Sequence, residues 1–261
     1  MLLSDWLANA DGFAIDLDGT LIRDGTVIEG ADRLLHATAG RFVIVSNNST
    51  DTASGMSAKL APLGLAVPPE CLVLAGETTL MKVAEHWSDA RILLLAAPTM
   101  QRFARELGLR LVAEEPDIVV LARDPHFTYR KLATAANALR QGARLIVTNP
   151  DGFHPGGGNS VVPETGALMQ ALVHASGVEP DEIIGKPAPA LLEEALRRLG
   201  TSQDRTLMIG DNPATDGAVA ARLGMPFLLL GESAEAIART PAELLQHVAM
   251  KPAQGATGGN S

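Results

Sequence analysis

The apolar run Gly12-Phe13-Ala14-Ile15 stops at Asp16-Leu17-Asp18-Gly19-Thr20. Four such residues in a row read as a buried strand. Ending that strand in two carboxylates one residue apart is a poor way to build a core. Alternate residues of an extended chain point the same way, so Asp16 and Asp18 start out directed into one space. Two like charges that close repel each other unless a cation or a shared proton sits between them. The stretch therefore predicts a metal site, an acid/base site, or both, at the end of a buried strand.

The rest of the chain repeats the strand signal and separates it with helical patterns. Strands are expected at 12–17, 41–46, 71–75, 91–96, 117–121, 144–148, 182–184, 205–209 and 226–230. Helices are expected at 30–38, 53–63, 78–87, 99–107, 128–140, 164–175, 190–199, 215–223 and 241–249. Alternation of this kind implies an α/β fold, a Rossmann-like parallel sheet with helices on its faces. Aromatic residues make up only 3% of the 261, which also favours helices on a sheet over an aromatic-rich β-sandwich. The Gly-rich polar tail, 254–261, is expected to be disordered.

Charge and cysteine content exclude several function classes. A formal net charge of -9 argues against a general nucleic-acid binder. The single cysteine, Cys71, rules out a disulfide framework within the chain and a Cys-rich zinc site. Met1-Leu2-Leu3-Ser4-Asp5-Trp6 lacks the basic and apolar regions of a signal peptide, and no apolar run is long enough to span a bilayer. The expectation is a soluble cytoplasmic protein without a membrane partner.

Four polar clusters follow apolar runs. They are Asp16/Asp18, Ser46-Asn47-Asn48-Ser49, Gly185-Lys186-Pro187, and Gly210-Asp211-Asn212 with Asp216 five residues after Asp211. In an open parallel sheet the carboxyl ends of the strands share one edge, and ligands bind there. Carboxylates, a hydroxyl, amides and one lysine would thus converge. Taken singly, each cluster has a plainer reading: a polar turn at Ser46–Ser49, a helix N-cap and first-turn acid at Asp211 and Asp216. Together they suit phosphoryl transfer. Oxygen-only donors favour Mg²⁺ over zinc, a lysine and a hydroxyl can hold phosphate oxygens, and carboxylates can act as nucleophile and as proton donor.

In order and in strand context, these motifs resemble the haloacid dehalogenase (HAD) superfamily. Asp16-Leu17-Asp18-Gly19-Thr20 is similar to its first motif, Ser46 to the second, Lys186 to the third, and Gly210-Asp211 with Asp216 to the fourth. Ser46-Asn47-Asn48-Ser49, a long α/β insertion, then Thr148-Asn149-Pro150-Asp151 and Gly185-Lys186-Pro187 resemble the NagD-like and 4-nitrophenylphosphatase-like group, which carries a large α/β (C2-type) cap. The resemblance implies a core domain of 1–75 and 181–261 with an inserted cap of 76–180. It implies Asp16 as nucleophile and Mg²⁺ ligand. Asp18 would be the general acid/base and lend its backbone carbonyl to the metal. Asp211 would be the remaining protein ligand, supported by Asp216. Ser46, Asn47 and Asn48 would hold the phosphoryl group, Lys186 would bridge it to Asp16, and His154 would reach the substrate from the cap. A homodimer through the cap is also implied.

The expected activity is hydrolysis of a small phosphorylated metabolite through an aspartyl phosphate. Nucleoside monophosphates, sugar or glycerol phosphates, phosphoglycolate and pyridoxal phosphate are all candidates. The alternatives are a receiver-like module phosphorylated on an Asp, or a non-catalytic ligand-binding relative. A receiver needs about half this length and no inserted α/β unit. Two stretches depart from the family's pattern: Asn212-Pro213 inside the fourth motif, and the loop Pro155-Gly156-Gly157-Gly158.

Overall fold

The computed structural model describes residues 9–155 and 160–249. The stretch 1–6 and the tail 254–261 lie outside the described residues.

In chain order the strands are β1 (Gly12–Ile15), β2 (Ile22–Arg23), β3 (Thr26–Val27), β4 (Phe42–Ser46), β5 (Leu72–Leu74), β6 (Arg91–Leu95) and β7 (Arg110–Leu111). They continue as β8 (Ile118–Leu121), β9 (Arg144–Val147), β10 (Phe153–Pro155), β11 (Val161–Pro163), β12 (Glu182–Ile183), β13 (Thr206–Gly210) and β14 (Phe227–Leu229). The helices are α1 (Ala31–Ala37), α2 (Ala53–Leu60), α3 (Ala75–His86), α4 (Pro98–Glu106), α5 (Tyr129–Arg140), α6 (Thr165–Ser176), α7 (Ala190–Leu199), α8 (Ala218–Leu223) and α9 (Pro241–Ala249).

Two five-stranded sheets form the frame, in the orders β14-β13-β1-β4-β5 and β12-β9-β8-β6-β7. Every pairing within them is parallel. The first sheet is made from both ends of the described chain. Its central strand β1 sets Ile15 beside Ile209 on one side and beside Ile44 on the other. The second sheet is inserted between β5 and β13. Its last strand, β12, pairs with β9 through Glu182↔Ile146 and Ile183↔Val147, so this sheet extends past residue 180.

Alternation along each strand decides which core a side chain joins. Phe13 and Ile15 pack with Ile44, Leu72, Leu207 and Ile209 on the face covered by α1 and α2. Ala14, Val43, Val45, Val73 and Met208 take the opposite face, under α7 and α8. That second cluster runs on through Leu80 and Val83 of α3 into Ile92, Leu94, Ile118, Val120 and Ile146, so one apolar body joins the two sheets. Val119, Leu121, Leu145 and Val147 point the other way, onto α5 and α6. Burying each such side chain contributes about 1.5–3 kcal/mol.

Both sheets therefore present a carboxyl edge. Two hairpins, β2–β3 and β10–β11, lie outside the strands expected from sequence. β2–β3 turns at Asp24 (φ 50) and Gly25 (φ 73), the left-handed pair that a tight two-residue hairpin requires. Helix 215–223 was expected as one element. The chain instead makes a wide turn at Pro213–Gly217 before α8. There the amides of Thr215, Asp216 and Gly217 all turn back to the Asn212 carbonyl.

Candidate active site

The first sheet's carboxyl edge brings the four expected clusters together. Asp16 leaves β1 with its amide bonded to the Ile209 carbonyl at 2.8 Å. Lys186 arrives from β12, in the second sheet. Its Nζ donates to Asp16 Oδ1 at 2.6 Å, to Asp216 Oδ1 at 2.7 Å and to the Val45 carbonyl at 3.0 Å. Asp16, Asp216 and Lys186 are all buried. Oxygens of Asp16, Asp211 and Asp216 lie within 4.8 Å of one another.

Close approach is built into three glycines. A Cβ on Gly19, whose φ is +91°, would stand 2.0 Å from Asp211 Oδ2. One on Gly210 would stand 2.3 Å from Asp216 Oδ2. One on Gly185 would stand 2.6 Å from Asn47 Oδ1. Asp216 is further fixed by the Asn212 amide, which donates to its Oδ2 at 3.2 Å.

Asp18 takes no part in the carboxylate triad. Its side chain opens to the cleft and accepts from Ser46 Oγ at 3.2 Å. Asn47 is a clamp: its Oδ1 accepts the Lys186 amide at 2.8 Å, while Nδ2 donates to the Lys186 carbonyl at 3.0 Å and to Asp151 Oδ2 at 3.0 Å. Asn48 holds its own loop, accepting from the amides of Thr50 and Asp51.

Burial pushes the Asp16 carboxyl well up against the pull of Lys186, and Asp216 and Asp18 add to the rise. The enclosing walls also raise Asp18, opposed by the Ser46 hydroxyl. Burial, with Asp216 adding, takes Asp211 up to about 6. Burial alone would pull Lys186 down, but Asp16 and Asp216 outweigh it and keep the ammonium charged. The site thus gathers four carboxylates around one ammonium, a deficit of positive charge that a divalent cation would fill. The donors are all oxygen, which suits a hard cation such as Mg²⁺.

A family model for haloacid dehalogenase-like hydrolases matches residues 10–224. The chain belongs to that family. It is 34% identical over 222 residues to the 5'-nucleotidase YutF of Bacillus subtilis, covering 84% of this chain and 86% of that one. The 4-nitrophenylphosphatase of Thermotoga maritima superposes with a TM-score of 0.85 at 30% identity, over 93% of this chain and 99% of that one. A glycerol phosphate phosphatase of Mycobacterium tuberculosis, solved in complex with magnesium, superposes at 0.79 with 31% identity, over 86% and 69% of the two chains. This HAD hydrolase is accordingly a phosphatase of the NagD-like kind.

Its cleft, about 800 Å³, takes its walls from both sheets and both hairpins. Every site residue expected from sequence lines it: Asp16, Asp18, Ser46, Asn47, Asn48, His154, Lys186, Asp211 and Asp216. His154 reaches it from β10, with Nδ1 2.6 Å from Glu164 Oε1. The inserted part contributes more residues than were assigned to the site from sequence, two of them inside the Thr148-Asn149-Pro150-Asp151 motif. Arg123 stands just past β8, Asp151 past β9, and Glu164 just before α6. Buried Asn149 ties the two edges, donating to the Asn47 carbonyl at 3.0 Å and to Ser49 Oγ at 3.2 Å. The strand-end rule already applied to the first sheet marks Arg123, Asn149 and Asp151, whereas Glu164 ends a hairpin strand and carried no such signal.

Proposed function

We propose that this HAD phosphatase is a Mg²⁺-dependent phosphomonoester hydrolase that works through an aspartyl phosphate on Asp16. The observation that carries the reading is the buried Asp16–Lys186–Asp216 ion chain with Asp211 alongside, at the foot of a cleft large enough for a small phosphorylated metabolite. Asp16 and Asp211, with the backbone carbonyl of Asp18, would hold the metal, with an Asp216 oxygen within 4.8 Å of theirs. A bound Mg²⁺ would neutralise carboxylate charge and polarise a phosphoryl oxygen.

Lys186 grips Oδ1 of Asp16 and so fixes the direction in which the carboxylate presents itself. Asp16 attacks phosphorus in line, a bond forms from its oxygen, and the ester P–O bond breaks. The leaving oxygen takes its proton from Asp18, whose raised carboxyl suits an acid. Water then gives a proton back to Asp18 as it attacks phosphorus, which releases inorganic phosphate and free Asp16. Ser46, hydrogen-bonded to Asp18, lies at hand for a non-bridging oxygen, and the Lys186 ammonium beside Asp16 offsets the charge. The relatives are named for nucleotides, 4-nitrophenyl phosphate and glycerol phosphate, which supports a small phosphorylated metabolite as substrate.

Phosphate release from 4-nitrophenyl phosphate tests the reading. Turnover should require Mg²⁺, stop on chelation, and fall by about 10⁴-fold or more in Asp16→Asn, the scale seen when a hydrolase loses its nucleophile. Sustained full turnover in Asp16→Asn would rule out the aspartyl phosphate.

A further inference from the structure

We infer that Arg123 is a specificity-determining residue, a receptor for a carboxylate carried by the substrate a few bonds from its phosphomonoester. This rests on the phosphatase reading above. Arg123 leaves the carboxyl end of β8, and its amide donates to Ser49 Oγ at 3.1 Å. That bond anchors it to the loop that begins with Ser46. Its side chain is 29% exposed and lines the same cleft as Asp16.

A guanidinium offers five donors in a planar fork. Arg123 uses Nε on Glu164 Oε1, 3.3 Å away. Its two terminal nitrogens make no hydrogen bond among the described residues. Those nitrogens are not sealed in the protein but open onto the cleft, where a planar anion can take two parallel bonds from the fork. The other cations of the cleft are placed differently. Lys186 is committed to Asp16 and Asp216. Arg23 is exposed on the β2–β3 hairpin and donates to the Gly19 carbonyl.

Glu164 decides which anion fits. Its carboxylate touches both Arg123 and His154, so the subsite carries little net positive charge. Glu164 repels either anion, and it repels a doubly charged phosphate more strongly than a singly charged carboxylate. The subsite therefore selects a phosphorylated acid over a phosphorylated alcohol or a bisphosphate.

The test compares 3-phosphoglycerate with glycerol 1-phosphate, which differ by a carboxylate in place of a hydroxymethyl group, and adds 1,3-propanediol bisphosphate. The readout is the ratio of kcat/KM within the matched pair. The protein should favour the acid by about tenfold or more, and Arg123→Met should lower the ratio by about 10- to 100-fold. Arg123→Lys should restore part of it, and Glu164→Gln should raise it. A ratio near one in the unaltered protein overturns the assignment, even if Arg123→Met fails to fold. So does a ratio that Arg123→Met leaves unchanged. Preference for the bisphosphate over the acid overturns the choice of carboxylate. Loss of all three activities, with no release from 4-nitrophenyl phosphate, would instead sink the phosphatase reading, and this inference with it.

Discussion

Replacing Lys186 with Met keeps the volume and removes the charge. Nζ has three acceptors, two of them buried carboxylates at 2.6 and 2.7 Å. Breaking a buried ion pair from one side costs about 3–5 kcal/mol, because the partner charge is left uncompensated. Here two carboxylates are left facing each other, with Asp211 beside them. A chain of this size has a urea m-value of about 3 kcal/mol/M. The midpoint of urea unfolding, followed by circular dichroism and tryptophan fluorescence in the presence of a chelator, should fall by about 1–1.7 M. Mg²⁺ should recover part of that shift, because it supplies the missing positive charge and binds only the folded form. Turnover should stay low with Mg²⁺ present, about 10²- to 10³-fold down, since the charge that orients Asp16 and offsets the phosphoryl oxygens is gone. A midpoint shift below about 0.3 M would refute the claim that Lys186 is the counter-charge of this site. An identical shift with and without Mg²⁺ would refute the claim that metal and lysine share the same carboxylates.

Two further outcomes follow from local geometry. Gly19→Ala places a Cβ 2.0 Å from Asp211 Oδ2 on a backbone at φ +91°, so it should destabilise the protein by about 1–3 kcal/mol and raise the Mg²⁺ concentration for half-maximal turnover; unchanged metal dependence would show that Asp211 is not a ligand. Arg91 holds Asp117 with Nη2 and Nε and with its backbone amide, and these bonds lower the carboxyl to about 2. A depressed carboxyl stabilises above its unfolded pKa of about 3.9 and loses that contribution as the pH falls through about 2. The stability gap between the protein and Asp117→Asn should therefore close over that window in acid titrations, and a gap constant with pH would refute the assignment.

What could be read in the sequence follows from what makes a pattern. The β1, β4 and β13 runs are long, apolar and stopped by polar residues, so both strand and site were visible. Hairpin β10–β11 has Phe153 and Val161 exposed and carries no apolar alternation, and it went unread. Asp24-Gly25 was a legible turn signal, but strands of two residues on either side are too short to show a period. Pro213 and Asn212 marked a departure from the family's motif, and the structure shows its form, a widened turn that aims Asp216 at Lys186. Arg123 stood at a strand end, and Asp151 was quoted within the Thr148–Asp151 motif, but neither was given a site role. They were left without one because nothing in one sequence says that two carboxyl edges face each other.

That facing arrangement makes the two halves of the site interdependent. The ladder of the second sheet does not stop at β12: the Ile184 amide reaches the Val147 carbonyl at 3.1 Å and the Gly185 amide reaches the Thr148 carbonyl at 2.8 Å. The next residue is Lys186, whose amide is taken by Asn47 from the first sheet. The lysine that neutralises Asp16 is thus delivered by the inserted sheet and fastened by the core. Asn149 and Ser49 repeat the connection one layer away. A displacement of the inserted sheet sufficient to open the cleft would strain the Asn47 clamp and draw Lys186 from Asp16. The inserted part of the molecule, which brings Arg123 and His154 to the cleft, is therefore coupled through backbone hydrogen bonds to the charge that holds Asp16.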